Sequence, residues 1–168
     1  PELPVRAEAF GEILMDVVAN GRDEEILVLW EDYRDVAAPK QRPTMGDFLT
    51  QIIRTPGNEV NLFGQRLDGA GSPVGAEIPV CAGEANQLKP RGAFIASSRQ
   101  YVLVWQDGRS GYENWDIVGR LVGADGSLGP EFEIASQPRE QLGPQIACHP
   151  ESAECLVTWL SLGARGAK

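Results

Sequence analysis

One feature constrains this chain more than any other: it repeats itself. Leu67–Ile78 and Leu121–Phe132 align at an offset of 54, with Leu67/Leu121, Gly69/Gly123, Ala70/Ala124, Gly75/Gly129 and Glu77/Glu131 coinciding. Ile26–Arg34 matches Tyr101–Arg109 through Trp30/Trp105, Asp32/Asp107 and Arg34/Arg109, and Cys155–Trp159 follows the same run more loosely. Trp105 and Trp159 are 54 apart, whereas Trp30 and Trp105 are 75 apart, so the first copy carries 21 additional residues, placed between Arg34 and Asn61. Each complete copy reads as four short strands. The first lies near 13–19, 91–96 or 144–148. The second ends in the Trp. The third runs through 63–67 or 117–122, and the fourth through 77–80 or 131–135. Asn20-Gly21, Ser97-Ser98, Gly69-Ala70-Gly71 and Asp125-Gly126 stand at the connections, where tight hairpins require positive φ.

Four strands in a period near 54 is the pattern of a β-propeller blade. The expected fold is all-β: four-stranded blade repeats forming part, or a segment, of a β-propeller. Residues 1–84 make the first repeat, with an insertion at 35–60. Residues 85–137 make the second and 138–168 a partial third, in one continuous repeat domain. Closed propellers typically need four to eight blades. Two and a half copies cannot close a ring, so the missing blades belong to the rest of a longer chain or to another copy. Otherwise the sheets form an open arc or a sandwich. Residue 1 is Pro, and both ends read as cut.

Composition excludes several classes. Hydrophobic residues at 42% and charged residues at 23% are ordinary for a folded domain and argue against wholesale disorder. No apolar run is long enough for a membrane-spanning helix. A net charge of −9 without a basic stripe suits no nucleic-acid partner. Gly 19 and Pro 12 indicate many turns, hence short strands.

The copies resemble those of a group of bacterial exported repeat proteins, mostly uncharacterised. Their units read approximately Tyr-Leu-Val-Val-Trp-x-Asp-x-Arg, Asp-Ile-Tyr-Gly-Gln-Arg, then a Gly-rich turn and Gly-x-Glu-Phe. Tyr101–Arg109, Asp116–Arg120 and Gly129–Phe132 carry the match, with weaker copies at Ile26–Arg34 and Asn61–Ile78. The resemblance implies export, to the periplasm, cell surface or medium, and a propeller-like arrangement. It says little of function, because such folds host many activities.

Recurring polar residues are the first candidates for a site. Asp32/Arg34 and Asp107/Arg109 follow the Trp, and Arg66 and Arg120 lie on the next strand after Asn61 and Asp116. They form either a polar or calcium-binding cluster at the blade end, or Asp–Arg ion pairs that pin the hairpin of the second and third strands. Recurrence in every blade favours the structural role. Asp68-Gly69 and Asp125-Gly126-Ser127 lack the alternating carboxylates of a calcium loop and read as turns. No metal and no cofactor is expected.

Cys148 and Cys155 lie in consecutive apolar runs. They are either a disulfide across a hairpin or two small buried side chains, and Cys81 is left over. With one histidine and three cysteines, zinc is not expected. His149 sits beside Pro150 with no nucleophile assigned to it. Glu24-Glu25, Glu31-Asp32 and Glu113 provide carboxylates, but no spacing selects a glycosidase pair. No catalytic residue is assigned.

The insertion is the most individual feature. Thr44 can cap a short helix that places Phe48, Leu49, Ile52 and Ile53 on one stripe, or the same residues can form an extra strand. These side chains cap the molecule or dock on a protein partner. Tyr33, Tyr112 and Trp115, in loops after the Trp-ended strands, either stack on sugars or partner side chains or pack against a neighbouring blade. The expected function is a non-catalytic structural or interaction module of an exported repeat protein, docking through its surface and the insertion. A lectin-like propeller binding carbohydrate, or one segment of a propeller hydrolase, is the alternative. Partners are then a protein, the remaining blades, a second copy of the chain, or a carbohydrate.

Overall fold

A computed structural model describes residues 12–34, 59–111, 113–149 and 152–162. Among these residues the chain is all-β, with ten strands and no helix: β1 (Glu12–Asn20), β2 (Glu25–Asp32), β3 (Asn61–Leu67), β4 (Pro73–Cys81), β5 (Gln87–Ile95), β6 (Gln100–Asp107), β7 (Asp116–Gly123), β8 (Leu128–Ala135), β9 (Gln141–Cys148) and β10 (Cys155–Ser161). They form three antiparallel sheets: β1-β2-β3-β4, β5-β6-β7-β8 and β9-β10. Every neighbour in a sheet is a neighbour in sequence, so each sheet is a simple meander. No sheet closes on itself among the described residues. Nor is there a helix long and apolar enough to cross a membrane.

The first strand of each sheet is longer than its apolar run suggests. Lys89 and Gly143 both take positive φ, 54° and 60°, immediately before Pro90 and Pro144. The ladder slips there, between Leu88 and Arg91 on β5 and opposite Thr158/Leu160 on β9. Proline cannot donate to a ladder, and a bulge is where a sheet tolerates it. The strand therefore continues through the Pro to Gln87 or Gln141. The same logic extends β4 back through Gly75, which has φ of 73° beside a second slip.

The turns also differ from expectation at one point. Positive φ falls on Glu24 and Arg99, the last residues of the β1–β2 and β5–β6 turns, and not on Gly21 or Ser97-Ser98. These are four-residue turns, which place their left-handed residue last. Gly71 and Gly126 do take the positive φ expected of them.

The core lies between the first two sheets. Val18, Leu27, Leu29, Leu62, Ile78, Val80 and Cys81 of the first meet Tyr101, Leu103, Trp105 and Val122 of the second. Gly92 on β5 sets their spacing: a Cβ there would lie 2.6 Å from Val18 Cγ2 and 2.8 Å from Leu103 Cδ2. The sheets can approach this closely only because position 92 has no side chain. The first strand of each sheet packs on that of the next, β1 on β5 and β5 on β9. The accompanying contacts also shift by one sheet, from β2 and β3 on β5 to β6 and β7 on β9.

Candidate functional site

The polar residues behind the Trp are built the same way in both full sheets. Trp30 Nε1 donates to Asp32 Oδ2 at 3.3 Å, and Trp105 Nε1 donates to Asp107 Oδ2 at 3.0 Å. Arg34 N and Nε donate to Asp32 Oδ1 at 2.9 and 2.8 Å, and Arg109 N and Nε to Asp107 Oδ1 at 3.0 and 2.9 Å. Each Arg closes a fork on its Asp through Nη2. From there Nη2 reaches the fourth strand, to Glu77 Oε1 at 3.2 Å in the first sheet and Glu131 Oε2 at 2.7 Å in the second. In the first sheet the Arg34 guanidinium crosses β3 over the Phe63 ring, 4.4 Å from its centroid.

The Asp–Arg pair thus clamps the end of the second strand to the fourth, not to the third. Glu77 and Glu131 complete it, and their signal was visible as a coincident pair in the repeat. Arg66 and Arg120 do not join the clamp alike. Arg66 makes a bidentate pair with Glu25 on β2 at 2.9 and 3.0 Å, while Arg120 shares Glu131 at 3.0 Å and donates to Val80 O of the first sheet. Asp116 accepts from Ser110 Oγ, and Asn61 accepts from Gly83 N at 3.1 Å. Among the described residues, no group of three or more His, Cys, Asp or Glu side chains is placed to hold a metal ion.

Burial would push the Asp32 carboxyl up, but hydrogen bonds from the Arg34 side chain and backbone and from the Trp30 indole outweigh it and hold the group below its ordinary value. The same contact raises Arg34, and Asp107 raises Arg109. A carboxylate held ionised inside a guanidinium fork is poorly suited to proton transfer. Burial, then the neighbouring Glu131, pushes the Cys81 thiol up to about 12, which keeps it protonated and unreactive.

The loop aromatics divide. Tyr33 and Trp115 are buried, 1% and 5% exposed, so neither offers a face to a sugar. The Tyr33 hydroxyl donates to Glu31 Oε2 at 2.6 Å. Tyr112, Phe48, Leu49, Ile52 and Ile53, with nearly all of the 35–60 insertion, lie outside the described residues. Asp68 accepts from Ala70 N and Ser72 N, and Asp125 from Ser127 N and Oγ, as turn residues do. His149 Nδ1 accepts from Ser152 N in the β9–β10 turn. Cys148 and Cys155 face each other across that hairpin and are joined as a disulfide.

A second recurring constellation escaped the sequence reading. Gln87 and Gln141 are both 1% exposed, and each donates through Nε2 to a turn carbonyl, Ala85 O or Arg139 O. Glu31 Oε1 accepts from Lys89 N at 2.8 Å, and Gln106 Oε1 from Gly143 N at 3.1 Å. Glu31 and Gln106, the residues after Trp30 and Trp105, therefore peg the first sheet to the bulge of the second and the second to that of the third. The signal was present as Gln87-Leu88-Lys89-Pro90 and Gln141-Leu142-Gly143-Pro144, again 54 apart.

Compared with protein-family models, with curated proteins and with solved structures, the chain gives no match.

Proposed function

We propose that this chain is a non-catalytic structural and interaction module, built from propeller-type blades and exported from the cell. One observation carries the reading: the Asp–Arg–Glu clamps and the Glu31 and Gln106 pegs, which recur from copy to copy, are consumed in holding the sheets together. Asp32, Arg34 and Glu77, like Asp107, Arg109 and Glu131, satisfy one another, and Glu31 and Gln106 serve the next sheet's backbone. Repetition of the same inter-sheet contacts along the chain supports a blade arrangement. The Cys148–Cys155 disulfide supports an oxidising compartment, as does the resemblance to exported repeat proteins.

The test is a panel of chromogenic glycoside, ester and peptide substrates together with a glycan array. Neither turnover nor glycan binding is expected. Turnover abolished by Asp107→Asn in a folded variant, or saturable binding to one glycan class, would overturn the module reading.

A further inference from the structure

The second and third sheets each begin around one buried side chain. Gln87 and Gln141 are 54 apart in the sequence, and both are 1% exposed. The backbone takes positive φ two residues before each, at Ala85 (69°) and Arg139 (93°), and again two residues after, at Lys89 (54°) and Gly143 (60°). The chain thereby curls around the amide from both sides. Three of these four residues carry a Cβ, for which the left-handed region is unfavourable. Each Gln is also tied to the sheet before its own. Gln87 N donates to Val60 O at 2.8 Å, and Gln141 N donates to Trp115 O at 2.7 Å.

The two ends of the amide are treated differently. Nε2 is anchored: in Gln87 it donates to Glu84 O and Ala85 O, both at 3.1 Å, and in Gln141 to Arg139 O at 2.8 Å. That anchorage fixes the amide, because turning it over would bring Oε1 against carbonyl oxygens. Oε1 is therefore held pointing the other way in both copies, buried and, among the described residues, without a hydrogen-bond partner. Leaving a buried amide oxygen without a donor is costly. The same orphan acceptor at the same place in both copies is a property of the repeat and not of one turn.

We infer that each junction between sheets binds one water molecule, which donates a hydrogen bond to Gln87 Oε1 in the first junction and to Gln141 Oε1 in the second. The ligand must be a donor, since an acceptor is what remains. It must be small, because both side chains are closed off from solvent. A divalent cation demands several oxygen ligands, usually with carboxylates among them, and among the described residues no group of three or more His, Cys, Asp or Glu side chains is placed to hold one. Water meets these requirements, and buried waters ordinarily bridge two to four polar groups. Backbone carbonyls line the same curl, and each has a second lone pair to share. The site goes beyond the module reading and does not depend on it, for the junctions would be wet in this way whatever the chain binds.

The test is a crystal structure of the full chain at a resolution that shows ordered water, joined to oxygen-17 relaxation dispersion, which counts long-lived internal waters in solution. Density for one water about 2.5–3.0 Å from Oε1 is expected at both glutamines. Gln87→Leu and Gln141→Leu should each remove one long-lived water, whereas Gln137→Leu, at an exposed position, should remove none. Should the leucine variants fail to fold, the wild-type density decides alone. A protein donor seated on either Oε1, density at one glutamine only, or a water count unmoved in folded variants would overturn the inference. So would a peak ringed by six or more oxygens at about 2.4 Å, which would make the ligand a cation.

Discussion

The second and third sheets contain nearly the same strand in opposite circumstances. Tyr101-Val102-Leu103-Val104-Trp105 is buried throughout, with Trp105 at 0% exposure, while Cys155-Leu156-Val157-Thr158-Trp159 is largely exposed, with Trp159 at 40%. The first has β5 and β7 on its edges and a sheet on each face; the second pairs only with β9 among the described residues. Burial is conferred by neighbours, and the same apolar run is core in one place and surface in the other. Among the described residues the third sheet is one strand pair tied by a disulfide, where the second sheet's strand has neighbours on both edges. The second sheet, which has those neighbours, has no disulfide.

The largest expected difference between them lies in the tryptophans. Trp105→Ala should cost about 3–5 kcal/mol in urea unfolding, because it empties a filled site. Trp159→Ala should cost less than about 1 kcal/mol if the chain is studied as a monomer. Equal losses would mean that Trp159 is covered in solution.

The next effect concerns the junction between sheets. Gly92→Ala should destabilise by about 1–3 kcal/mol, since the added Cβ meets Val18 at 2.6 Å. Val18→Ala in the same chain should recover part of the loss, a coupling that a double-mutant cycle reads directly. Gly143 has open space around its Cβ but a φ of 60°. Its replacement by Ala should cost about 1 kcal/mol through the backbone alone and show no coupling to Val18. If both glycines behave alike, sheet spacing is not what Gly92 controls.

The smallest effect separates the sheets by pH. Asp32 has a depressed folded-state pKa, so its contribution is present above the ordinary carboxylate value of 3.8 and is lost as pH falls through the folded value. In the third sheet the corresponding position is Ser161, which does not titrate. Acidification below about pH 4 should therefore lower the amide protection factors of β2 and β4 before those of β9 and β10. Asp32→Asn should lower stability at neutral pH and flatten the acid limb. An unchanged limb in that variant would assign the acid sensitivity elsewhere.

Much of the framework was legible before any coordinates. The offset between Trp105 and Trp159 and the Gly-rich turns located most strands, because alternation and turn chemistry are local properties. Lys89-Pro90 and Gly143-Pro144 misled, since a proline ordinarily ends a strand and here sits at a bulge. The polar cluster was found, yet its partners were not. Arg34 reaches Glu77, 43 residues away, across a strand whose position no local pattern states. Tyr33 and Trp115 looked like loop aromatics and proved to be buried, with the Tyr33 hydroxyl turned back onto Glu31 of the strand before it.

By itself, the sequence determined that the chain is a succession of similar antiparallel units, for the alternation, the turns and the 54-residue offset depend only on neighbours along the chain. Only the tertiary structure decided which equivalents are covered. Val102 and Leu156 occupy the same place in the repeat, and both are aliphatic side chains suited to a core. What distinguishes them is the sheet that lies against one and, among the described residues, not against the other. Contact between distant segments is the physical origin of that difference, and it is also why Gly92, unremarkable in the sequence, governs how closely two sheets can meet.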